Sequence, residues 1–228
     1  MIYVSTYRFE TIVSEEIMPN YILEKKYVRN VEISFLRKHK ELYQYQILCI
    51  KFDFSDQDTA SGFLLKKISY LFDEIDLYAD EENNIVKLNN LNFIKLRWKQ
   101  LQMKLLETNK GSVVENYFRQ ISDVLEDERR FIEFLSGYNM FGLYFNGQSG
   151  KYPDNGRKIR KITEEKNEYL YRETFSAEEI RIKMKSSEDK NESQTEGISI
   201  YEKGLLKENF VSSKENNHQI KYSLLWVG

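Results

Sequence analysis

What most constrains this chain is a double change of hydrophobic period. Up to about residue 55 its apolar residues alternate or run in short β-branched and aromatic blocks. From Asp56 to Gly137 they recur at helical spacing, and beyond residue 157 alternation returns. Strands, then helices, then strands point to an α+β fold: an antiparallel sheet formed by N- and C-terminal strands, with a central helical hairpin packed on one face. The chain reads as a single α+β domain over residues 1–228: strands 1–55, mainly helical 56–137, a glycine-rich connection 138–157, strands 158–228. Periodicity leaves open whether the two strand sets share one sheet. A globule of 228 residues buries roughly 70% of its unfolded surface, so it needs no disulfide or metal to hold it.

Residues 1–13 and 27–37 read as strands, with Pro19 between them where no ladder donor is required. "RKHKE" (37–41) turns the chain into "LYQYQILCIKFDF", apolar on both faces at Ile47, Leu48, Cys49 and Ile50, as in a central strand covered on each side. "DQDTASGFLLKKISYLF" then places Phe63, Leu64, Ile68, Leu71 and Phe72 on a helix. "EIDLY" and "IVKL" form a short hairpin around "ADEENN", which lacks the alternating ligands and central Gly of a calcium loop.

In "NNIVKLNNLNFIKLRWKQLQ" (83–102) Asn90 starts a helix that runs to about Asn109, with Gly111 as its C′ glycine. Leu91, Ile94, Trp98, Leu101 and Leu105 share its stripe. Lys95 and Lys99 fall on one flank, Arg97 and Lys104 on the other. A nucleic-acid helix gathers its cations on one exposed face; bracketing a stripe is what long side chains do at a core edge. Ser112 and Glu115 have the spacing of a capping box for the next helix, whose stripe is Val114, Tyr117, Phe118, Ile121, Val124 and Leu125. "EDERRFIEFLSG" continues as a further helix, with Glu126 and Arg130 as an exterior i,i+4 pair.

Five of the ten glycines fall between 137 and 156. This stretch reads as a flexible surface loop presenting Tyr152 and Arg157 as candidate binding residues. Within it "GQSGK" has two residues between its glycines and Tyr152 after its lysine, so it is not a phosphate loop. The last strand alternates with Ile220, Tyr222, Leu224 and Trp226 on one face, and "KSSEDKNESQTEG" (185–197) reads as a mobile hairpin tip.

Chemistry is otherwise sparse. Cys49 is alone and reads as a buried hydrophobe, which excludes an internal disulfide and a multi-cysteine metal site. His39 and His218 lie in polar stretches without zinc-type partners, and no G-x-S-x-G elbow is present. Lys and Arg number 34 against 36 Asp and Glu, a net charge of −2, and "TEEKNE" follows the basic "RKIRK" (157–161) directly. That balance predicts no nucleic-acid or anionic-membrane partner. No run resembles a signal peptide or a membrane span, so the expected compartment is the cytoplasm, and the Asn191 sequon is coincidental.

With no catalytic residues, cofactor or metal set, the leading expectation is a non-catalytic protein-binding module: an accessory, adaptor-like or neutralising partner of another protein. Its 16 Tyr and 14 Phe include tyrosines on strands, at "LYQYQ" and "YLYRETF", of the kind favoured at interfaces. The alternative is an enzyme or small-ligand binder with a pocket between sheet and helices. Space there filled by Trp98 and Phe118 argues against it; convergent polar groups argue for it.

Overall fold

A computed structural model describes residues 3–19, 21–148, 150–161, 167–186 and 194–228. Three long strands come first: β1 (Tyr3–Met18), β2 (Tyr21–His39) and β3 (Leu42–Phe54). Helix α1 (Ala60–Ser69), a 3-10 turn (Tyr70–Phe72), β4 (Glu74–Ala79) and β5 (Ile85–Leu88) follow. Next are α2 (Leu91–Thr108), α3 (Ser112–Glu126) and α4 (Glu128–Leu135). The chain returns to strand in β6 (Arg157–Lys161), β7 (Asn167–Thr174), β8 (Glu179–Ser186), β9 (Gln194–Glu202), β10 (Leu205–Glu215) and β11 (His218–Trp226).

All eleven strands form one antiparallel sheet in the order β5-β4-β3-β2-β1-β11-β10-β9-β8-β7-β6. The fold is thus mixed α+β and dominated by its sheet. Two meanders meet at a single seam, where β1 and β11 pair from Tyr7 opposite Trp226 to Glu15 opposite His218. Facing residues share a side, so Tyr7, Phe9, Leu224 and Tyr222 point the same way. Tyr7, Phe9, Val31, Ile33 and Leu224 are buried there.

β5 and β6 lie at opposite edges, so the chain between them must cross the whole sheet. The segment 136–148 makes much of that crossing, and it is core. Met140, Phe141, Leu143 and Phe145 are buried. Phe141 meets Phe9 edge-on at 6.0 Å, and Tyr144 meets Tyr7 at 5.1 Å. Asn209 Nδ2 donates to the Leu143 carbonyl at 2.7 Å, and Ser199 Oγ donates to Gln148 Oε1. The glycine-rich composition that suggested a surface loop serves close approach instead: a Cβ on Gly142 would lie 2.0 Å from the Ser136 carbonyl oxygen.

α2 and α3 form an antiparallel hairpin around Trp98 and Phe118, which meet edge-on at 5.4 Å. The indole Nε1 of Trp98 donates to Ser122 Oγ at 2.8 Å. Ile94, Trp98, Leu105, Phe118 and Leu125 are buried as their spacing predicts. α2 is nonetheless apolar on two sides, because Phe93, Leu96 and Met103 stand exposed opposite the buried stripe. α4 abuts β5, where Glu128 Oε1 accepts from the Leu88 amide at 2.8 Å.

Several local expectations are corrected. Asn90 does precede α2, but its side chain is stitched to β4, accepting from the Asp76 amide and donating to the Glu74 carbonyl. The capping box at Ser112 is not formed: Gly111, at φ 118°, is itself the residue before α3. The C-cap of α2 is Asn109, so Gly111 lies one residue beyond the C′ position assigned to it. Arg129 pairs with Glu133 in place of the expected Glu126–Arg130 pair, because the helix breaks at Asp127, which caps α4. Phe63 is exposed beneath Lys67, while Gly62 is buried. β3 is not covered on both faces. Ile47 and Cys49 are buried, but Ile50 is skipped in the pairing with β2 and faces solvent. Residues 187–193 of the polar 185–197 stretch, Asn191 among them, lie outside the described residues, as do 162–166 of "TEEKNE".

Candidate functional site

The residues singled out from sequence do not converge. Tyr152 is half-buried, its hydroxyl donating to the Gln148 carbonyl at 2.8 Å and its ring lying under Lys158 and Arg172. Arg157 lies over Tyr171. In the β6–β7 register Arg157 and Tyr171 point away from the buried Leu170, whereas Lys158 shares its side. Tyr152 and Arg157 therefore sit on opposite faces of the sheet edge. The cations of α2 also have structural partners: Arg97 pairs with Asp73 at 2.7 Å and donates to the Tyr70 carbonyl, and Lys95 donates to the Glu126 carbonyl at 2.9 Å.

Two polar clusters stand out on the sheet. Arg160 of β6 and the buried Glu168 of β7 form a close ion pair, and Tyr138 OH donates to Glu168 Oε1 at 2.8 Å. Burial pushes the Tyr138 hydroxyl well above its ordinary pKa. Burial opposes the charge on Arg160, but Tyr138 and Glu168 outweigh it and hold its pKa up. The three groups satisfy one another, which makes the cluster a clamp on the β6 edge. At the end of the sheet near the β2–β3 turn, Tyr43, Tyr45, Tyr144 and Tyr201 line a pocket of about 230 Å³ with Asp80 and Glu81. Asp80 Oδ1 is occupied by the amides of Glu82 and Asn84, so that carboxylate shapes its own turn. Among the described residues no group of three or more His, Cys, Asp or Glu is placed to hold a metal ion. Among them, too, no helix is long and apolar enough to cross a membrane.

An exposed apolar cluster lies at the β1–β2 hairpin tip. Pairing of β11 with β1 stops at Glu15, and pairing of β3 with β2 starts at Tyr27. Beyond a last bond from the Glu16 amide to the Asn217 carbonyl and the contacts of Lys26 with Ser55, the strand ends pair with each other, Met18 opposite Tyr21. There Ile17, Met18, Tyr21 and Ile22 are 50%, 63%, 58% and 63% exposed. Below the tip, Lys26 reaches back to Glu10 at 2.9 Å and Lys25 to Asp56 at 3.7 Å. Glu15 faces His218, while Glu16 and Glu24 have no ion pair among the described residues. The result is an apolar tip on an acidic collar. The sequence pattern predicts a first strand that ends at residue 13, which leaves the tip outside it. The signal was present in "EEIMPNYILEKK", where large apolar residues surround a turn that ordinarily takes polar ones.

No protein-family model matches the chain, and no curated protein matches it. Among solved structures, one of lipovitellin, described for its lipid–protein interactions, aligns with 99% of this chain and 25% of its own at a TM-score of 0.49 and 8% identity. The chain thus spans a quarter of that structure's length, and so slight a likeness bears on neither fold nor function.

Proposed function

We propose that the protein is a non-catalytic protein-binding module that engages its partner through the β1–β2 hairpin tip. The observation that carries this reading is the projecting cluster of Ile17, Met18, Tyr21 and Ile22, four large apolar side chains held in water. The partner it fits is a protein with an apolar cleft rimmed by Lys or Arg, because Glu16 and Glu24 supply an acidic collar. The same collar disfavours an anionic membrane surface. In this reading the protein works in the cytoplasm and takes no cofactor. The α2–α3 hairpin serves as a brace packed on the covered face of the sheet, and Tyr152 and Arg157 act as separate contacts at the far edge.

The test compares capture from the native cell extract by the wild type and by the triple variant Ile17→Ser, Met18→Ser, Ile22→Ser. Each side chain carries about 1.5–3 kcal/mol when fully buried, so the variant should lose its specific partner by tenfold or more while melting at the wild-type temperature. An unchanged set of captured proteins from a folded variant, or no specific capture by the wild type, would sink the proposal.

A further inference from the structure

A second opening, separate from the hairpin tip, lies on the covered face under α1. It has a volume of about 360 Å³ and its walls include Tyr27, Phe54, Leu65, Ile220 and Tyr222. This is the size range of small-molecule sites, and such walls suit a hydrocarbon or aromatic body. One charged side chain lines it: Arg29 of β2, placed between Phe9 and Phe52 in the sheet register.

The guanidinium of Arg29 faces no carboxylate and makes no ion pair among the described residues. Of its five N–H donors, Nη2 reaches the Asn139 carbonyl at 2.9 Å and Nη1 reaches the Met140 thioether at 3.2 Å, a weak acceptor. Phe52 and Phe141 lie at 5.9 and 5.8 Å from its central carbon. The neighbouring Cys49 thiol is kept neutral, since burial pushes its pKa up to about 11. Asp56, whose charge acts on Tyr27, is held by Lys25. Desolvation bears on Arg29 strongly enough to lower its pKa. Arg29 is half-buried and its Nη2 side stays open to water, so an anion can reach the guanidinium. A partly desolvated cation without an anion gains when one joins it.

We infer that this pocket binds a small monocarboxylate with an apolar or aromatic body, the carboxylate on the Arg29 guanidinium and the body between α1 and the sheet. A planar fork with unused N–H groups matches a carboxylate in two-point geometry, which a lysine does not. The apolar walls make the hydrophobic body as necessary as the charge.

Calorimetric titration and thermal-shift measurements with octanoate, phenylacetate, octanamide and inorganic phosphate test this on the full chain. The wild type should bind both carboxylates and melt higher in their presence, with octanamide and phosphate weaker by about tenfold or more. Arg29→Gln and Arg29→Lys should each lose octanoate by a similar factor. Leu65→Trp, which fills the pocket and leaves Arg29 in place, should lose it as well, and decides the matter if the Arg29 variants fail to fold. Octanamide binding as tightly as octanoate would overturn the inference, as would phosphate binding as tightly, no saturation by either carboxylate at millimolar concentration, or a folded Leu65→Trp that still binds octanoate.

Discussion

At the scale of single residues, the burial of Cys49 and Trp98 is legible in sequence because it depends on their immediate neighbours. Cys49 is buried on β3 and its thiol lies 3.7 Å from the Phe72 carbonyl. Burial raises its pKa to about 11, against about 8.5 for a free thiol. The sign follows: the folded state favours the protonated thiol, so the associated stability is complete below the unfolded pKa and declines as pH rises through 11. At pH 8 the folded protein should resist a thiol-alkylating reagent, and labelling followed by mass spectrometry under increasing urea should track unfolding. Rapid labelling of the native protein would show the site to be open. Arg29, by contrast, was not singled out. A lone arginine in "YVRNVEI" is ordinary in sequence, and only the fold reveals that no carboxylate among the described residues meets it.

At the scale of elements, a glycine-rich composition misled where hydrophobic period did not. The glycine-rich stretch 137–156 reads as a surface loop, because glycine and polar residues usually mark one, yet its part up to Gln148 is core. Its hydrogen-bond partners, Ser199 and Asn209, lie 51 and 66 residues away, beyond the reach of a local pattern. Gly142→Ala tests whether close packing explains the glycine. The added carbon would meet the Ser136 backbone at 2.0 Å, so a loss of about 1–3 kcal/mol or more is expected in urea denaturation. A variant as stable as the wild type would mean that the turn yields freely. The short β6 reads only as a basic patch, whereas the longer strands and helices are legible, since long periodic runs survive uncertainty about their ends. Their ends are not: β1 outruns the residue-13 estimate by five residues, and those residues hold part of the hairpin tip. The missing capping box at Ser112 has the same origin, because the choice between Ser112 and Gly111 as the first cap depends on how the hairpin closes.

At the scale of the molecule, both strand sets were legible but their union was not, because register between β1 and β11 spans almost the whole chain. The seam makes β11 a central strand although it comes last in order. Deleting residues 217–228 should therefore do more than trim an edge. It exposes the β1 and β10 edges together and invites strand pairing between molecules. Size-exclusion chromatography should show aggregates in place of the wild-type peak, and a well-folded shortened protein would contradict this account of the sheet. The same seam sets a timetable during synthesis. Roughly two hundred residues separate the end of β1 from the start of β11, which at 5–20 residues per second is about 10–40 s of translation. For that interval the first strand waits at the ribosome with one edge unmatched, and whatever shields it then protects the chain from its own neighbours.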